Sequence, residues 1–528
     1  MVLACSLAVL ALAGSPAGGR YLETTIQDDA VLLSSSPAVV REAARRMAWL
    51  GADRVRLTAG WSALAPAAWA RRRPEPPWNA TDPATYPREP FLRLDRAVKA
   101  AVASRMEVMI DLAFWAPRWA VRRAVAPADR QTWAPDPAEF GRFATAVARR
   151  YDGTFPDPER AGHVLPAVRM WTTWNEPNNP TFLRPQWIRR GGAWRAASPH
   201  VYRALHNAAY DALERSSPRN VVLVGGTAAT GSRTPGRGGV APLRFLRELA
   251  CVDERLRPLA IPECRGYRPL RADGYAHHPY SRFTTPGTSN PDPDAAPLAD
   301  TARLQGLLAA LAARGRLARP LDVFQTEYAY ESNPPDPKAP FGLQQQAQYL
   351  SWATYLAWRD PRTRMFSQFL LRDIDPAQAR RQPGHRYYWN DFQTGLFFAD
   401  GTPKPAVQAF RLPFWAERRE VGGHEVMVVF GGVRGARSQV VVRVERRTSA
   451  TGAWVPVTVS GETCDDRGPA FLTDSEGWFT RAAPYEGPAS YRLARLLPDG
   501  SWEAGIEIPT GIGVSPPTAP APAPGPGA

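Results

Sequence analysis

Val168-Arg-Met-Trp171-Thr-Thr-Trp174-Asn175-Glu176-Pro177-Asn178 is the stretch that decides how this 528-residue chain is read. Its first seven residues alternate at period two, with apolar and β-branched side chains that fit the pleated surface of a buried strand. Pro177 has no N–H to give to a ladder, so the strand ends just before it. Asn175 and Glu176 then stand where a strand ends and a loop begins. A carboxylate held there, beside an amide and indole rings, is poorly solvated, which favours its protonated form and suits a general acid. A glutamate at a strand end is also an ordinary surface residue, so a second feature has to stand beside this one.

Leu321-Asp-Val-Phe-Gln-Thr-Glu327-Tyr328-Ala-Tyr330 is that feature: again a short apolar strand ending in Glu beside aromatics. About 150 residues separate the two glutamates, room for three strand–helix units of roughly 30 residues each with elaborated loops. Further strands are read at Tyr21–Ile26, Asp53–Thr58, Val108–Leu112, Val221–Val224 (ended by Gly225 and Gly226), Gly274–Tyr280 and Met365–Leu371. Helices are read at Val39–Leu50, 135–151 with Asp136-Pro137 as its start, and Gln344–Arg359. The whole predicts a (β/α)8 TIM barrel over residues 20–412. Two glutamates at strand C-termini, facing one mouth, form the pair a glycosidase needs, one as acid/base and one as nucleophile.

Asn175-Glu176-Pro177 and Thr326-Glu327-Tyr328 resemble the acid/base and nucleophile strand ends of clan A glycoside hydrolases. Trp174 to Asn178, taken with Leu183-Arg-Pro-Gln186, is most similar to bacterial cellulase-family or family 39-like glycosyl hydrolases. The resemblance implies a retaining enzyme in which Glu176 is acid/base and Glu327 nucleophile. It implies that Arg56 lies beneath the nucleophile and that Asn175 bonds the sugar 2-hydroxyl. It also implies a histidine and a tyrosine from the sixth strand at the site. Tyr280 is that tyrosine, while either His277 or His278 is the histidine, since strand neighbours face opposite sides. Trp61, Trp115, Trp174 and Tyr280 are expected to offer apolar faces to sugar rings. Where many relatives carry a tryptophan at the eighth strand's end, this chain offers Gln368 and Arg372.

The formal charge of +15 invites a nucleic-acid reading, yet only Lys99, Lys338 and Lys404 among the 65 basic residues are lysines, and the arginines are scattered. No basic block or nucleic-acid motif accompanies them, so the expected partner is a carbohydrate and not a nucleic acid. The apolar run Val2–Ala13 reads as a secretory signal, too short to span a membrane, and no later segment is long and apolar enough. A secreted protein is therefore expected. Cys251 and Cys264 are close in sequence in a loop-like region and are the natural disulfide pair, leaving Cys464 alone. No ligand cluster calls for a metal or cofactor.

From about Phe414 the pattern becomes short alternating runs such as Val426–Phe430, Gln439–Val444, Trp454–Val459 and Tyr491–Leu496. Such spacing predicts a small antiparallel β-sandwich over 414–510, followed by a Pro/Ala-rich extended tail from 511 to 528. The rival functional reading is a non-catalytic carbohydrate-binding or envelope-interaction protein on the same barrel.

Overall fold

The computed structural model describes residues 21–121, 131–379, 385, 388–389, 392–421, 423–460 and 469–511. The signal-like run, Cys464 and the Pro/Ala-rich tail after Gly511 lie outside the described residues. Eight strands close into a parallel barrel: β1 (Glu23–Gln27), β2 (Arg54–Gly60), β3 (Glu107–Ala113), β4 (Met170–Thr173), β5 (Val221–Ala228), β6 (Gly274–His278), β7 (Val323–Tyr328) and β8 (Thr363–Phe369). Each pairs with its neighbours in chain order, and β8 closes on β1 through Glu23↔Met365 to Gln27↔Phe369. Helices connect successive strands, which is the expected (β/α)8 fold.

Local chemistry accounts for the elements. In helix Pro137–Arg150, Asp136 accepts hydrogen bonds from the amides of Ala138 and Glu139, and Pro137 sits where its missing N–H costs nothing. Phe140, Phe143, Ala144 and Val147 then fall on one buried face at helical spacing. The barrel interior is layered. Met109, Met170, Leu223, Ala276 and Met365 plug its centre. Two residues further along the same faces come Asp111, Thr172 and Ser367, all buried. The apolar plug thus gives way to a polar floor one pleat repeat higher, about 6–7 Å toward the strand C-termini.

Two features differ from the sequence reading. Gly225 and Gly226 do not end β5. The strand runs on to Ala228 with a register shift between Gly225 and Thr227. Both glycines have positive φ, and a Cβ on Gly225 would lie 2.6 Å from the Ala276 carbonyl, so they bend the strand against β6. Beyond β4, a two-stranded hairpin pairs Trp187–Arg190 with Ala193–Ala196 around Gly191 and Gly192, which have φ of 57° and 81°. Its exposed arginines hide the strand pattern, whereas Gly-Gly with both φ positive is the signature of a tight hairpin turn.

The described residues form two compact units. One is the barrel, Glu23–Gly342 with Leu356–Thr402; the other groups Leu343–Tyr355 with the chain from Pro403 onward. In the second unit, strands Phe414–Val421, His424–Gly432 and Trp478–Pro484 make one antiparallel sheet. A second sheet is built on Val441–Arg447 and Ser490–Leu496. Val429, Phe430, Val442, Val444, Tyr491 and Leu493 are buried in this unit, and Trp352 stacks flat on Trp415 at 4.7 Å. Among the described residues, no helix is long and apolar enough to cross a membrane.

Cys251 and Cys264 form the expected disulfide across 13 positions. Arg316 fastens the same loop by donating to the carbonyls of Ala250 and Cys251. Closing a loop of this length contributes about 3 kcal/mol in the chain-entropy account. Cys251→Ala/Cys264→Ala should therefore lower unfolding free energy by about that amount in urea titrations. Peptide mapping of the unreduced parent should return one linked pair; two free thiols there would overturn the assignment.

Candidate active site

The turn after β4 is held open against its own backbone preference. Trp174 and Glu176 have φ of 73° and 39°, left-handed values that cost a bulky residue on the order of 1–3 kcal/mol each. Fixed partners impose them. The Trp174 amide donates to Leu112 O at 2.7 Å and the Glu176 amide to Gly226 O at 2.9 Å. The Asn178 amide group donates to the carbonyls of Ala228 and Val240 and accepts from the Ala228 N–H. This turn aims the Glu176 side chain over the mouth.

Arg56, from β2, is 1 % exposed and lies below that mouth. Its Nη1 donates to Gln27 of β1 and to Glu327 Oε1 of β7. Its Nη2 donates to Asp111 Oδ2 of β3 at 2.8 Å and to Asn175 Oδ1 at 2.9 Å. Asp111 takes a further bond from Thr172 on β4 at 2.6 Å. Burial opposes the charge on Arg56, but Asp111 and Glu327 outweigh it and the guanidinium stays charged. Tyr280 donates from its hydroxyl to Glu327 Oε2 at 3.1 Å. Burial and the adjacent carboxylates push the Tyr280 phenol well above its usual range, so it serves as a donor. Asn175 gives its oxygen to Arg56, leaving its NH2 group as the side available to a ligand.

His278 stands between the two glutamates, with Nδ1 at 3.2 Å from Glu176 Oε1 and 3.5 Å from Glu327 Oε2. One oxygen of each carboxylate and one His278 nitrogen all lie within 4.8 Å of one another. His277 faces the other way. The Ala296 carbonyl accepts from its Nε2 at 2.7 Å, so Nε2 carries the proton and Nδ1 accepts from the Thr227 hydroxyl. Burial pushes the His277 imidazole down to about 4, keeping it neutral. Of the two histidines, His278 belongs to the site.

The expectation that poor solvation keeps Glu176 protonated does not hold in the free protein. Burial pushes its carboxyl up, but the hydrogen bond and charge of His278, the Asn179 amide donating at 2.7 Å and the charge of Arg282 outweigh burial and bring it below the usual range. Glu176, His278 and Glu327 have the donor types of a metal site. However, Arg56 and Tyr280 occupy the Glu327 oxygens, and Asn179 and His278 those of Glu176. All four carboxylate oxygens of the trio are thus already hydrogen-bonded within the protein. The other grouping with metal-binding side chains, His200 with Cys251 and Cys264, has its thiols consumed by the disulfide.

Three expected sugar-contacting residues sit elsewhere. Trp61 is 1 % exposed, with its ring among Trp119, Phe140 and Phe143. Trp174 is 0 % exposed and meets Phe140 edge-on. Neither has a face left for a sugar, because helix Pro137–Arg150 uses both as packing partners. Gln368 donates both amide hydrogens to the carbonyls of Leu370 and Thr394, bracing the chain after β8. Trp115, by contrast, is 38 % exposed and tied to the next loop by donating to Thr181 O. The sequence reading passed over Gln27, Asp111 and Asn179. A carboxylate inside the apolar run Val108–Leu112 was the available signal for Asp111, since a charge is buried there only when paired.

Removing the cation isolates two carboxylates. Arg56→Met should cost about 3–5 kcal/mol of stability at neutral pH. Paired denaturant titrations of parent and variant at neutral pH check this; a loss below about 1 kcal/mol would refute it.

No protein-family model matches the chain, and no curated protein sequence matches it. Solved structures similar to it include a GH5_18 protein from Bifidobacterium longum subsp. infantis (17 % identity, 74 % of this chain and 78 % of that one, TM-score 0.44). A glucosidase from Croceicoccus marinus is 12 % identical over 90 % of this chain and 98 % of its own, with a TM-score of 0.44. An endo-beta-1,4-mannanase from Thermotoga petrophila is 11 % identical over 93 % and 97 %, with a TM-score of 0.41.

Proposed function

We propose that the protein is a retaining glycoside hydrolase acting on O-glycosidic bonds of a poly- or oligosaccharide. The observation that carries this is the placement of Glu176 and Glu327 at the C-terminal ends of β4 and β7, with carboxylate oxygens within 4.8 Å. Retaining enzymes hold their carboxyl groups about 5–5.5 Å apart, whereas inverting ones leave roughly 6.5–9.5 Å for a water. Glu327, with Arg56 and Tyr280 on its oxygens, is the nucleophile. Glu176 is the acid and then the base. The finer likeness to family 39-like hydrolases rests on the Trp174–Asn178 and Leu183–Gln186 motifs. Export to an oxidising compartment belongs to the same proposal, supported by the disulfide.

In the first step Glu327 attacks the anomeric carbon while Glu176 gives its proton to the departing oxygen. The C–O bond breaks as the glycosyl ester forms. In the second, Glu176 takes a proton from water, which attacks the same carbon and frees Glu327. The free protein holds Glu176 in the base form, so protonation accompanies substrate binding. A sugar laid over both carboxylates removes water from Glu176 and shuts it in with anionic Glu327, and both effects raise its pKa.

Glu176→Ala should keep much of its rate on a dinitrophenyl glycoside, whose leaving group needs little protonation, and lose far more on a natural linkage. Azide should restore its turnover with retained configuration. Glu327→Ala should be inactive on both, and a 2-fluoro glycoside should label Glu327 alone. A label on Glu176 reverses the roles; no label with any sugar supports the non-catalytic binding reading.

A separate measurement tests His278. Because His278 holds the Glu176 pKa down, His278→Gln should move the alkaline limb of kcat/KM to higher pH, the acid staying protonated longer. In the parent, the limb read from kcat should lie above that read from kcat/KM. A limb that moves down in the variant would contradict the pairing.

A further inference from the structure

The loops after β4, β5 and β6 crowd the Glu176 side of the mouth, and these three strands are consecutive in the barrel. The chain contains no Asp or Glu between Glu176 and Asp211, and none from Arg215 to Arg247, although arginines are frequent in both stretches. Arginines elsewhere are commonly matched: Arg150 with Asp95, Arg303 with Asp300. On this rim Arg190 pairs with Glu263 at 2.9 Å, whereas Arg233 comes only to 3.8 Å from Asp292. Arg189, Arg195 and Arg237 are exposed and have no carboxylate partner among the described residues.

An aromatic face lies among them. The hairpin register pairs Arg189 with Trp194, which places both side chains on one face. Trp194 rests against the backbone of Gly236 in the loop after β5, where a Cβ would come within 2.4 Å of the indole. It still keeps 44 % of its surface exposed, and Arg237 follows directly. Buried bonds fix this platform relative to Glu176. Gln186 donates to Pro177 O at 2.9 Å and accepts from the Val240 amide at 3.1 Å, and Trp187 Nε1 donates to Gly238 O at 3.1 Å.

An indole face takes the C–H face of a sugar ring, and guanidinium forks take carboxylate or sulfate in bidentate geometry. We propose that Trp194 with Arg189 and Arg237 forms a subsite for an anionic sugar unit, bearing a carboxylate or a sulfate. It lies on the leaving-group side of the scissile bond, because Glu176 protonates that side. The place in the reaction rests on the glycosidase reading; the binding itself is measured without turnover.

The test uses the full chain carrying Glu327→Gln, with polygalacturonate, chondroitin sulfate and neutral glucomannan as probes in affinity electrophoresis. At low ionic strength at least one polyanion should bind about tenfold or more tighter than glucomannan and weaken steeply with added salt. Arg189→Glu/Arg237→Glu should lose about tenfold and Trp194→Ala several-fold, a loss of both charge pairing and stacking. Arg41→Glu, exposed on helix Pro37–Trp49 between β1 and β2, across the ring from β5, should change nothing. The ranking of the two polyanions tells carboxylate from sulfate. Equal binding of glucomannan, or an equal loss in Arg41→Glu, overturns the subsite. A parent that takes no 2-fluoro label but keeps rim-dependent polyanion binding refutes the hydrolase reading alone; labelling without any rim effect refutes the subsite alone.

Discussion

A guanidinium cut off from water sets the geometry of the barrel mouth. Arg56 is reached by acceptors from β1, β3, β7 and the turn after β4, so one planar group fixes the relative positions of four parts of the ring. A lysine could neutralise the same carboxylates, but its point charge has no fork with which to register four acceptors. The cation survives its burial because Asp111 and Glu327 stand against it, and each of them survives for the same reason. Remove the cation and both carboxylates become buried charges without this partner.

The second constraint is the turn carrying Glu176. A tryptophan and a glutamate in left-handed conformations would relax in a free loop. Here Asn178 and Gln186 stitch the segment to the loop after β5 at both ends. Asn178 and Gln186 thus hold backbone atoms, whereas Asn175 of the same motif meets the Arg56 side chain and keeps its NH2 side for a ligand. Glu176 is aimed by the strain that these amides maintain.

Much of this was legible in the sequence. The eight strands, the helix after Asp136, the two glutamates and the cysteine pair follow from period, punctuation and residue chemistry. What was not legible is orientation. Trp61 and Trp174 look like sugar platforms in one dimension, and only the packing of Phe140 and Phe143 reveals them as core. His277 and His278 are indistinguishable until Ala296 and Thr227 claim one of them. The Glu176 pKa was misjudged for a related reason: burial can be guessed from neighbours in sequence, but beside Asn179 its opponents are His278 on β6 and Arg282 in the loop after it, about 100 residues away. Gly225 and Gly226 were read as a stop because glycine commonly ends a strand; here the close β6 backbone at Gly225 and the positive φ of both residues call for glycine.

Asp111 has a consequence for the covalent intermediate of the proposed mechanism. When Glu327 becomes an ester it loses its negative charge, and a guanidinium matched to that single carboxylate would be stranded in a dry interior. Arg56 is not stranded, because Asp111 remains at 2.8 Å with its own bond from Thr172. The floor of the site is therefore net anionic before the first step and neutral after it. The barrel stores the counter-ion of the proposed intermediate in advance, on a strand across the ring from the one that carries the reacting atom.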